Sequence, residues 1–216
     1  MPSIYYHRNF KPQYFYHIFN RGAYKNIIFL EKSDYETFIE ILSYYLKFPD
    51  ARHYNYQNIV TKFKVPNFKY TIHCVAYCLM PNHFHLILKQ LPNANIKTNI
   101  SNLMRRLSIT YAIYFKYKYK HSGSLFESKF KNVTVDSEEQ LLYFSKYIHQ
   151  NPQKLTKKLS SYPYSSYPAF INKVKLPEWL HPEYIFKLQP NYQKFVETQM
   201  KERETKQIKA LVLDNI

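Results

Sequence analysis

The pattern of hydrophobic and polar positions divides the chain into alternating strands and helices. Apolar residues at every second position predict strands, and apolar residues spaced three and four apart predict helices. The predicted strands are 14–19, 70–79, 83–89 and a fourth within 124–135. The predicted helices run from Ser33 or Asp34 to Lys47, from 96 to 119, and from Asp136 or Ser137 to Asn151. The last helix ends there because Pro152 disfavours helical geometry in the residue before it.

The order of these elements is β-α-β-β-α-β followed by one more helix. It predicts an α+β fold in which helices pack on an antiparallel sheet. The 216 residues are enough for one domain with a sizeable core. We expect a domain over 1–168, with an insertion or long loop at 48–68, and a helical C-terminal extension over 169–216. The strands 70–79 and 83–89 form a hairpin around the turn Met80-Pro81-Asn82.

Charge and aromatic content indicate a polyanionic partner. The formal net charge is +16, and aromatic residues make up 19% of the chain. Lysine and arginine attract phosphates, and exposed rings stack on bases, so nucleic acid is the favoured partner class. A basic composition with ordinary core tyrosines explains part of this excess. A membrane partner is disfavoured, because the apolar residues are spread through the elements and no apolar run is long enough to span a bilayer.

The scarcity of glycine and cysteine excludes several other functions. Gly22 and Gly123 are the only glycines, so the chain has neither a Walker A loop nor a dinucleotide-binding fingerprint, and we expect no nucleotide cofactor. Cys74 and Cys78 lie four apart in a predicted strand, roughly 13 Å between Cα atoms, too far for a disulfide. They indicate buried thiols in a reducing compartment. With no apolar signal sequence at the start, a cytoplasmic, nucleoid-associated location is expected.

His83 and His85 are the first candidates for chemistry. Side chains alternate along a strand, so both imidazoles point to one face while Phe84 points to the other. Two imidazoles in this arrangement can bind one metal ion. A His-x-His pair that is solvent-facing or satisfied in the core gives the same pattern, and the spacing does not distinguish the two interpretations.

The helix that ends at Asn151 carries the second set of candidates. Tyr143, Tyr147 and Asn151 are spaced four apart and share one helix face. A phenol can serve as a nucleophile and an amide oxygen as a metal ligand. Packing aromatics and a helix cap would produce the same spacing, which does not favour Tyr147 over Tyr143. His149 points about 200° away from Tyr147 around the helix, and we expect it to face solvent.

A basic run over 97–134, with Glu127 as its single acid, suggests a track for phosphates, although such a run is usually only a solvated face. In the helix 96–119, Leu103, Leu107, Tyr111, Tyr114 and Phe115 are expected to face inward. Its cations are expected to be more exposed than these: Arg105, Arg106, Lys116, Lys118 and, at its end, Lys120.

Several segments resemble one family in the expected order. The segment 76–85, AYCLMPNHFH, resembles the metal-binding signature of the single-tyrosine HUH transposases, and most of all that of the REP-associated tyrosine transposases, which are insertion-sequence-200-like. The segments 16–22 and 123–131 resemble the family's first strand with its turn and the stretch before its fourth strand. YIHQNP at 147–152 is similar to its tyrosine motif, and 162–167 to the stretch that follows it.

The resemblance implies a ferredoxin-like or RRM-like sheet and a reaction on single-stranded DNA associated with hairpins. Tyr147 would attack a phosphodiester and form a 5′-phosphotyrosine link, while His83, His85 and Asn151 would hold Mg²⁺ or Mn²⁺. Relatives include both monomers and homodimers. DNA binding is assigned to a set of basic residues: Arg21, Arg105, Arg106, Lys116, Lys118, Lys120, Lys129 and Lys131.

Two other functions remain open at this stage. One is a non-cutting module that binds single-stranded nucleic acid and derives from the same family. The other is a zinc hydrolase that uses His83, His85 and a third ligand such as His73, which the absence of a nearby carboxylate base disfavours.

Overall fold

The computed structural model describes residues 9–47, 68–95, 99–198 and 200. The predicted insertion, apart from Phe68, and the end of the chain from 201 onward lie outside the described residues. The strands are β1 (Phe15–Arg21), β2 (Ile72–Met80), β3 (His83–Gln90) and β4 (Lys131–Val135). The longer helices are α1 (Lys32–Lys47), α2 (Ile100–Tyr119) and α3 (Glu138–Gln150), and the shorter ones are α4 (Tyr167–Phe170), α5 (Glu183–Phe186) and α6 (Tyr192–Glu197).

The four strands form one antiparallel sheet in the order β2-β3-β1-β4. The element order β1-α1-β2-β3-α2-β4-α3 confirms the predicted α+β architecture. β3 lies between β2 and β1, and backbone hydrogen bonds to both of these strands hold it in place. In the register of β1 and β3, Phe19 pairs with His85 and Arg21 with His83.

The two faces of the sheet carry different layers. Phe84 points to the face covered by α1 and α2, where its ring lies 5.0 Å from Phe38 and 6.1 Å from Phe126. His85 points to the opposite face, where the ring of Tyr147 on α3 lies 5.6 Å away. The predicted alternation is therefore confirmed, and the histidine pair is enclosed between the sheet and α3.

Two of the helices, α1 and α2, begin at residues other than those predicted. α2 begins at Ile100 with Asn99 as its N-cap, and residues 96–98 lie outside the described residues. Asp34 was predicted as an N-cap, which is wrong: α1 begins at Lys32, and Asp34 lies in its first turn. Its carboxylate accepts hydrogen bonds from the backbone N–H groups of Leu30 and Glu31, so it satisfies donors just before the helix.

Ser137 begins α3 as predicted, and its side chain accepts from the backbone N–H of Gln140. The Gln140 side chain in turn accepts from the backbone N–H of Asp136. This reciprocal arrangement satisfies donors at the start of the helix.

The C-terminal extension covers the outer side of α3, so the prediction that His149 faces solvent is wrong. His149 is fully buried. Its Nδ1 lies 2.7 Å from the hydroxyl of Tyr192 on α6, and its Nε2 lies 2.7 Å from the hydroxyl of Ser166. His149 does point away from the sheet, but the extension packs there. Trp179 also packs inward, with its ring 5.6 Å from that of Tyr77.

The loop after β1 holds the turn between β2 and β3. The backbone N–H of Gly22 donates to the carbonyl of Asn82, and those of Ile28 and Phe29 donate to the carbonyl of Pro81. Gly22 fits because it has no side chain: a Cβ there would lie 2.1 Å from the carbonyl oxygen of Asn26. The loop thus fixes the backbone immediately before His83.

Cys74 and Cys78 are both buried and free, as predicted. In the described part of the chain, no helix combines the length and apolar character needed to cross a bilayer.

Candidate active site

The first two residues of the candidate site are His83 and His85 on the central strand β3. Their ring centroids lie 5.0 Å apart with the planes nearly perpendicular. His83 is 5% exposed and His85 is fully buried. The predicted convergence of the two imidazoles on one face is therefore confirmed as a geometric fact.

The side chain of Asn82 fixes the proton of His83. Asn82 donates from its amide nitrogen to the carbonyl of Lys25 at 3.1 Å, so its amide oxygen points the other way. That oxygen lies 2.7 Å from Nδ1 of His83. An amide oxygen only accepts, so Nδ1 of His83 carries the proton and Nε2 keeps its lone pair.

His17 on β1 contacts the second imidazole. Nε2 of His17 lies 2.9 Å from Nδ1 of His85. When Nδ1 of His85 donates this hydrogen bond, Nε2 of His85 is left with its lone pair, as in His83. Metal-ligating histidines commonly donate from their second nitrogen to such a partner, which sets the tautomer and orients the ring.

Burial keeps these histidines neutral. It lowers the pKa of His83 to about 4, and the Asn151 side chain partly opposes this effect. Burial lowers the pKa of His17 to about 3. The pKa of His85 falls well below its usual value, first through burial and then through the neighbouring His83 and His17. A neutral imidazole is the form that binds a metal.

Tyr147 and Asn151 come to the same place from α3. The ring of Tyr147 lies 5.6 Å from that of His85 and 6.3 Å from that of His17, edge-on in both cases. Asn151 caps the C-terminus of α3, one turn beyond Tyr147, and its side chain interacts with His83. All four predicted catalytic and metal-binding residues therefore lie together.

The ring of Tyr143 packs against the C-terminal extension. Its ring lies 6.5 Å from that of Phe195, on α6 of the C-terminal extension. The sequence spacing left Tyr143 and Tyr147 equivalent, but the packing of α3 separates them. Of the two, Tyr147 is the one beside the histidines.

The polar atoms of the site lack partners where a ligand would be expected. Among the described residues, four polar atoms of this site are buried without a hydrogen bond: Nε2 of His83, Nε2 of His85, Nδ2 of Asn151 and Nδ1 of His17. Buried polar atoms are usually paired, so four orphans in one place fit a ligand that binds there. The two ends of an amide have nearly the same shape, so turning the Asn151 amide over would offer its oxygen instead.

Two of the predicted DNA-binding residues lie at the rim of this site. Arg21 is the cross-strand neighbour of His83, and its guanidinium donates to Glu127 at 2.7 and 2.8 Å. Lys131 lies 3.5 Å from the other carboxylate oxygen of Glu127. Glu127 therefore shares its charge between the two cations.

A groove of about 910 Å³ brings together Arg105 of α2 and Lys129 of the loop before β4. Asn20 also lines it and donates to the carbonyl of Ser128. Asn20 pairs with Phe84 in the sheet, whereas its neighbour Arg21 pairs with His83. The groove and the histidine pair thus lie on opposite faces at the same end of β1.

The remaining cations of α2 line neither the histidine site nor the groove. Lys116 and Lys120 are exposed, whereas Arg106 and Lys118 are half-buried. Lys118 is held by Asp34 at 2.7 Å and by Glu31. Arg106 contributes a charge near Tyr45 of α1. Packing between α1 and α2 accounts for both.

His73 cannot complete a zinc site with the histidine pair. It pairs with Lys89 at one end of the β2–β3 ladder, whereas His83 pairs with Met80 at the other. Six residues of strand separate the two positions along β3, roughly 20 Å. His73 instead forms a cluster with His181 and Glu183.

Sequence reasoning missed His17, Asn82 and Glu127. His17 was visible as a histidine in the first strand, at even spacing from Phe19, but only the register of β1 on β3 shows that it meets His85. Asn82 resembled an ordinary turn residue. In the sequence, Glu127 is distinguished only as the single acid of the basic run 97–134.

Comparison with known proteins confirms the predicted resemblance. Residues 51–151 match the protein family described as "Transposase IS200 like", a segment that contains His83, His85, Tyr147 and Asn151. This match supports a DNA-binding transposase. No curated protein matches the chain.

Two solved structures are similar. One, described as the REP-associated tyrosine transposase bound to a REP hairpin, shares 16% identity with a TM-score of 0.54, over 84% of this chain and 92% of that one. The other is described as a candidate transposase from Deinococcus radiodurans R1, with 19% identity over 66% of this chain and 94% of that one. Its TM-score of 0.37 is too low to support an argument. The first likeness establishes the fold.

Proposed function

We propose that this chain is a metal-dependent transposase that cleaves and rejoins single-stranded DNA next to hairpins through a covalent bond to Tyr147. The observation that carries the proposal is the position of Tyr147 beside two buried imidazoles whose Nε2 atoms have no partner among the described residues. A nucleic-acid-binding module would need neither the phenol nor the orphan nitrogens.

In the proposed reaction, the phenolic oxygen of Tyr147 attacks the phosphorus of a DNA phosphodiester. The new bond joins that oxygen to phosphorus, and the bond from phosphorus to the 3′ oxygen breaks. The phenol loses its proton to solvent, and the departing 3′ oxygen takes up one. The 5′ end stays on Tyr147, and attack by a 3′-hydroxyl reverses the step and rejoins a strand. The link conserves the phosphodiester, so no nucleotide cofactor is needed.

His83, His85 and Asn151 would hold the metal ion, with two imidazole nitrogens and one amide oxygen as donors. This donor set suits Mn²⁺ better than Mg²⁺, which prefers oxygen ligands. When bound, the ion would polarise the scissile phosphate and stabilise the charge that develops on it. The hydrogen bonds that Nδ1 of His83 donates to Asn82 and Nδ1 of His85 donates to His17 would keep both rings in the ligating tautomer. A phenol has an ordinary pKa near ~10, so its ionised form needs such a positive neighbour.

The proposed substrate rests on charge and on the likeness of the fold. The chain carries a net charge of +16, and Arg105 and Lys129 line one groove. Phosphates bind such cations without regard to sequence. The fold is similar to that of a protein described as bound to a REP hairpin, which supports a hairpin as part of the substrate.

The first experiment incubates the protein with labelled single-stranded oligonucleotides that carry hairpins, in the presence of Mn²⁺. We expect an adduct that resists SDS. Tyr147→Phe should abolish the adduct but change the dissociation constant for DNA by less than about twofold, because the loss of one hydroxyl at a half-buried position changes binding little.

Tyr143→Phe is the matched control, since it removes the same hydroxyl one turn earlier on α3 and should retain the adduct. Loss of the adduct in Tyr143→Phe but not in Tyr147→Phe would assign the nucleophile to Tyr143. Binding of every hairpin without any adduct would favour the non-cutting module. Cleavage by His83→Ala in the presence of a chelator would exclude the metal role.

A further inference from the structure

The second cluster of potential ligands lies far from the histidine pair, on the edge strand β2. His73 projects from β2, and His181 and Glu183 belong to the C-terminal extension. One ligand atom from each of the three lies within 4.8 Å of the others. Two imidazoles and a carboxylate are a donor set that binds Zn²⁺ in proteins.

We infer that His73, His181 and Glu183 form a second metal-binding site, which takes a transition ion such as Zn²⁺ and fastens the C-terminal extension to β2. This inference does not depend on the proposed function, because none of the three residues approaches Tyr147. The register alone separates His73 from His83 by roughly 20 Å.

The backbone places the three ligands before any ion binds. The N–H of His181 donates to the carbonyl of Cys74 at 2.8 Å, and Leu180 forms an isolated bridge to Cys74. Cys74 is the neighbour of His73 on β2. The imidazoles of His73 and His181 are consequently stacked, with centroids 3.6 Å apart and planes within 7°.

The hydrogen bonds of the rings leave the outer nitrogens available. Nδ1 of His73 lies 2.9 Å from the hydroxyl of Tyr184, and Nδ1 of His181 lies 3.0 Å from a carboxylate oxygen of Glu183. Within the described residues neither Nε2 has a hydrogen-bond partner. The carboxylate of Glu183 lies on the Nδ1 side of the His181 ring, so it has to turn away from Nδ1 to ligate the same ion as Nε2.

The step from this arrangement to a bound ion is small. Zinc–nitrogen bonds of about 2.0–2.1 Å allow two ligating nitrogens to be at most about 4 Å apart. One potential ligand atom of each residue already lies within 4.8 Å of the others, and the atoms that bind the ion have to come within the shorter distance as the side chains turn. Parallel rings also have to tilt so that their lone pairs converge. His181 is only partly buried and Glu183 is exposed, so both side chains have room to turn.

The local charge favours an ion that binds nitrogen strongly. The ammonium of Lys89 lies 4.3 Å from the centroid of the Tyr184 ring and opposes a cation, whereas the carboxylate of Glu183 attracts one. Burial, followed by the neighbouring His181, lowers the pKa of His73 to about 4, so this ring is neutral at pH 7. Imidazole suits Zn²⁺, Co²⁺ and Ni²⁺, and Mg²⁺ prefers oxygen.

The test titrates Zn²⁺ into chelator-treated full-length His83→Ala protein, in which the first histidine pair is broken. We expect one bound ion by calorimetry. At a hundredfold excess of zinc over its dissociation constant, the melting temperature should rise by roughly 5–10 °C. Co²⁺ in place of Zn²⁺ should give the visible absorption of a tetrahedral site.

Two further variants, each made in the same His83→Ala background, decide the outcome. His181→Ala keeps the backbone bond to Cys74 and should weaken zinc binding at least tenfold, with loss of the thermal shift. Glu183→Gln alters an exposed side chain that the fold does not need, and it should also weaken binding. If the His83→Ala protein binds no zinc, or if both further variants bind zinc as tightly as the His83→Ala protein does, the second site does not exist.

Discussion

At the scale of single residues, the position of one proton decides what the histidine pair can do. Asn82 cannot accept and donate at the same atom, and its amide nitrogen is already used by the carbonyl of Lys25. Its oxygen therefore accepts from Nδ1 of His83, and Nε2 remains a ligand. His17 can act in the same way on His85.

Asn82→Ala tests this role. Without the amide oxygen, the ring of His83 is free to rotate and to move its proton to Nε2. We expect the affinity for Mn²⁺ to fall about 10–100-fold, as is typical when such an outer partner is removed. Isothermal titration of the chelator-treated protein measures it. Unchanged affinity would mean that Asn82 serves only the turn.

His149 makes stability depend on pH. Burial lowers the pKa of His149 to about 3, below its ordinary value of 6.5. The unfolded chain thus binds a proton that the folded one does not, and stability falls as pH drops below 6.5. Between pH 7.5 and 5 this one residue should remove about 2 kcal/mol of the free energy of unfolding.

His149→Gln has no titrating ring and should lose correspondingly less stability than the parent over the same interval. Urea unfolding in the presence of a chelator gives both curves. Parallel curves would show that His149 is protonated equally in the folded and unfolded protein.

At the scale of elements, the basic helix α2 has two roles: part of it lines the groove, and part of it is bound to α1. Arg105 of α2 lines the groove, whereas Lys118 lies about 20 Å further along the helix axis and is bound to α1. Burial opposes its charge, but hydrogen bonds to Asp34 and Glu31 raise the pKa of Lys118. It is a link between helices.

Lys118→Met keeps the aliphatic stem but removes the charge, which leaves the buried carboxylate of Asp34 without its cation. Tyr114 and Tyr119 still donate to that carboxylate. We expect a loss of about 1–2 kcal/mol of unfolding free energy, measured by urea denaturation. Affinity for DNA should not change. A variant as stable as the parent would contradict the link.

The sequence predicted the elements well because their periodicity is local. β1 to β4 and α1 to α3 were all predicted, and the errors were confined to the ends of elements. The burial of His149 was missed because it depends on the extension, whose short helices have no periodic signal. Tyr143 and Tyr147 could not be separated either, since their difference lies in what packs on each turn of α3.

At the scale of the whole molecule, the basic groove and the histidine pair occupy opposite faces of one sheet. They meet only at the end of β1, where Asn20 faces the groove and Arg21 faces His83. A bound strand that used both would have to pass around this end of the sheet. Affinity and cleavage are then separable properties.

The double variant Arg105→Gln, Lys129→Gln tests the groove. Each phosphate contact on a single strand contributes about 0.7 to the slope of log K against log salt, so the slope should fall by about 1.4. Tyr147 is untouched, and cleavage at saturating DNA should persist. Lys173→Gln, Lys175→Gln removes the same charge from exposed positions outside the groove and should leave the slope unchanged. Equal effects of the two double variants would exclude a specific groove.

Gly22 connects the smallest residue in the chain to the chemistry of the site. Its N–H holds the carbonyl of Asn82, and no side chain fits beside Asn26. Adding a single methyl group there would push the loop from the turn, and the carbonyl of Lys25 would leave the Asn82 amide. A mutation that alters no functional group would thereby move a proton on the His83 imidazole and weaken the proposed metal site. The tolerance of this chain to mutation therefore depends on the space available beside Gly22 as well as on the reactive side chains.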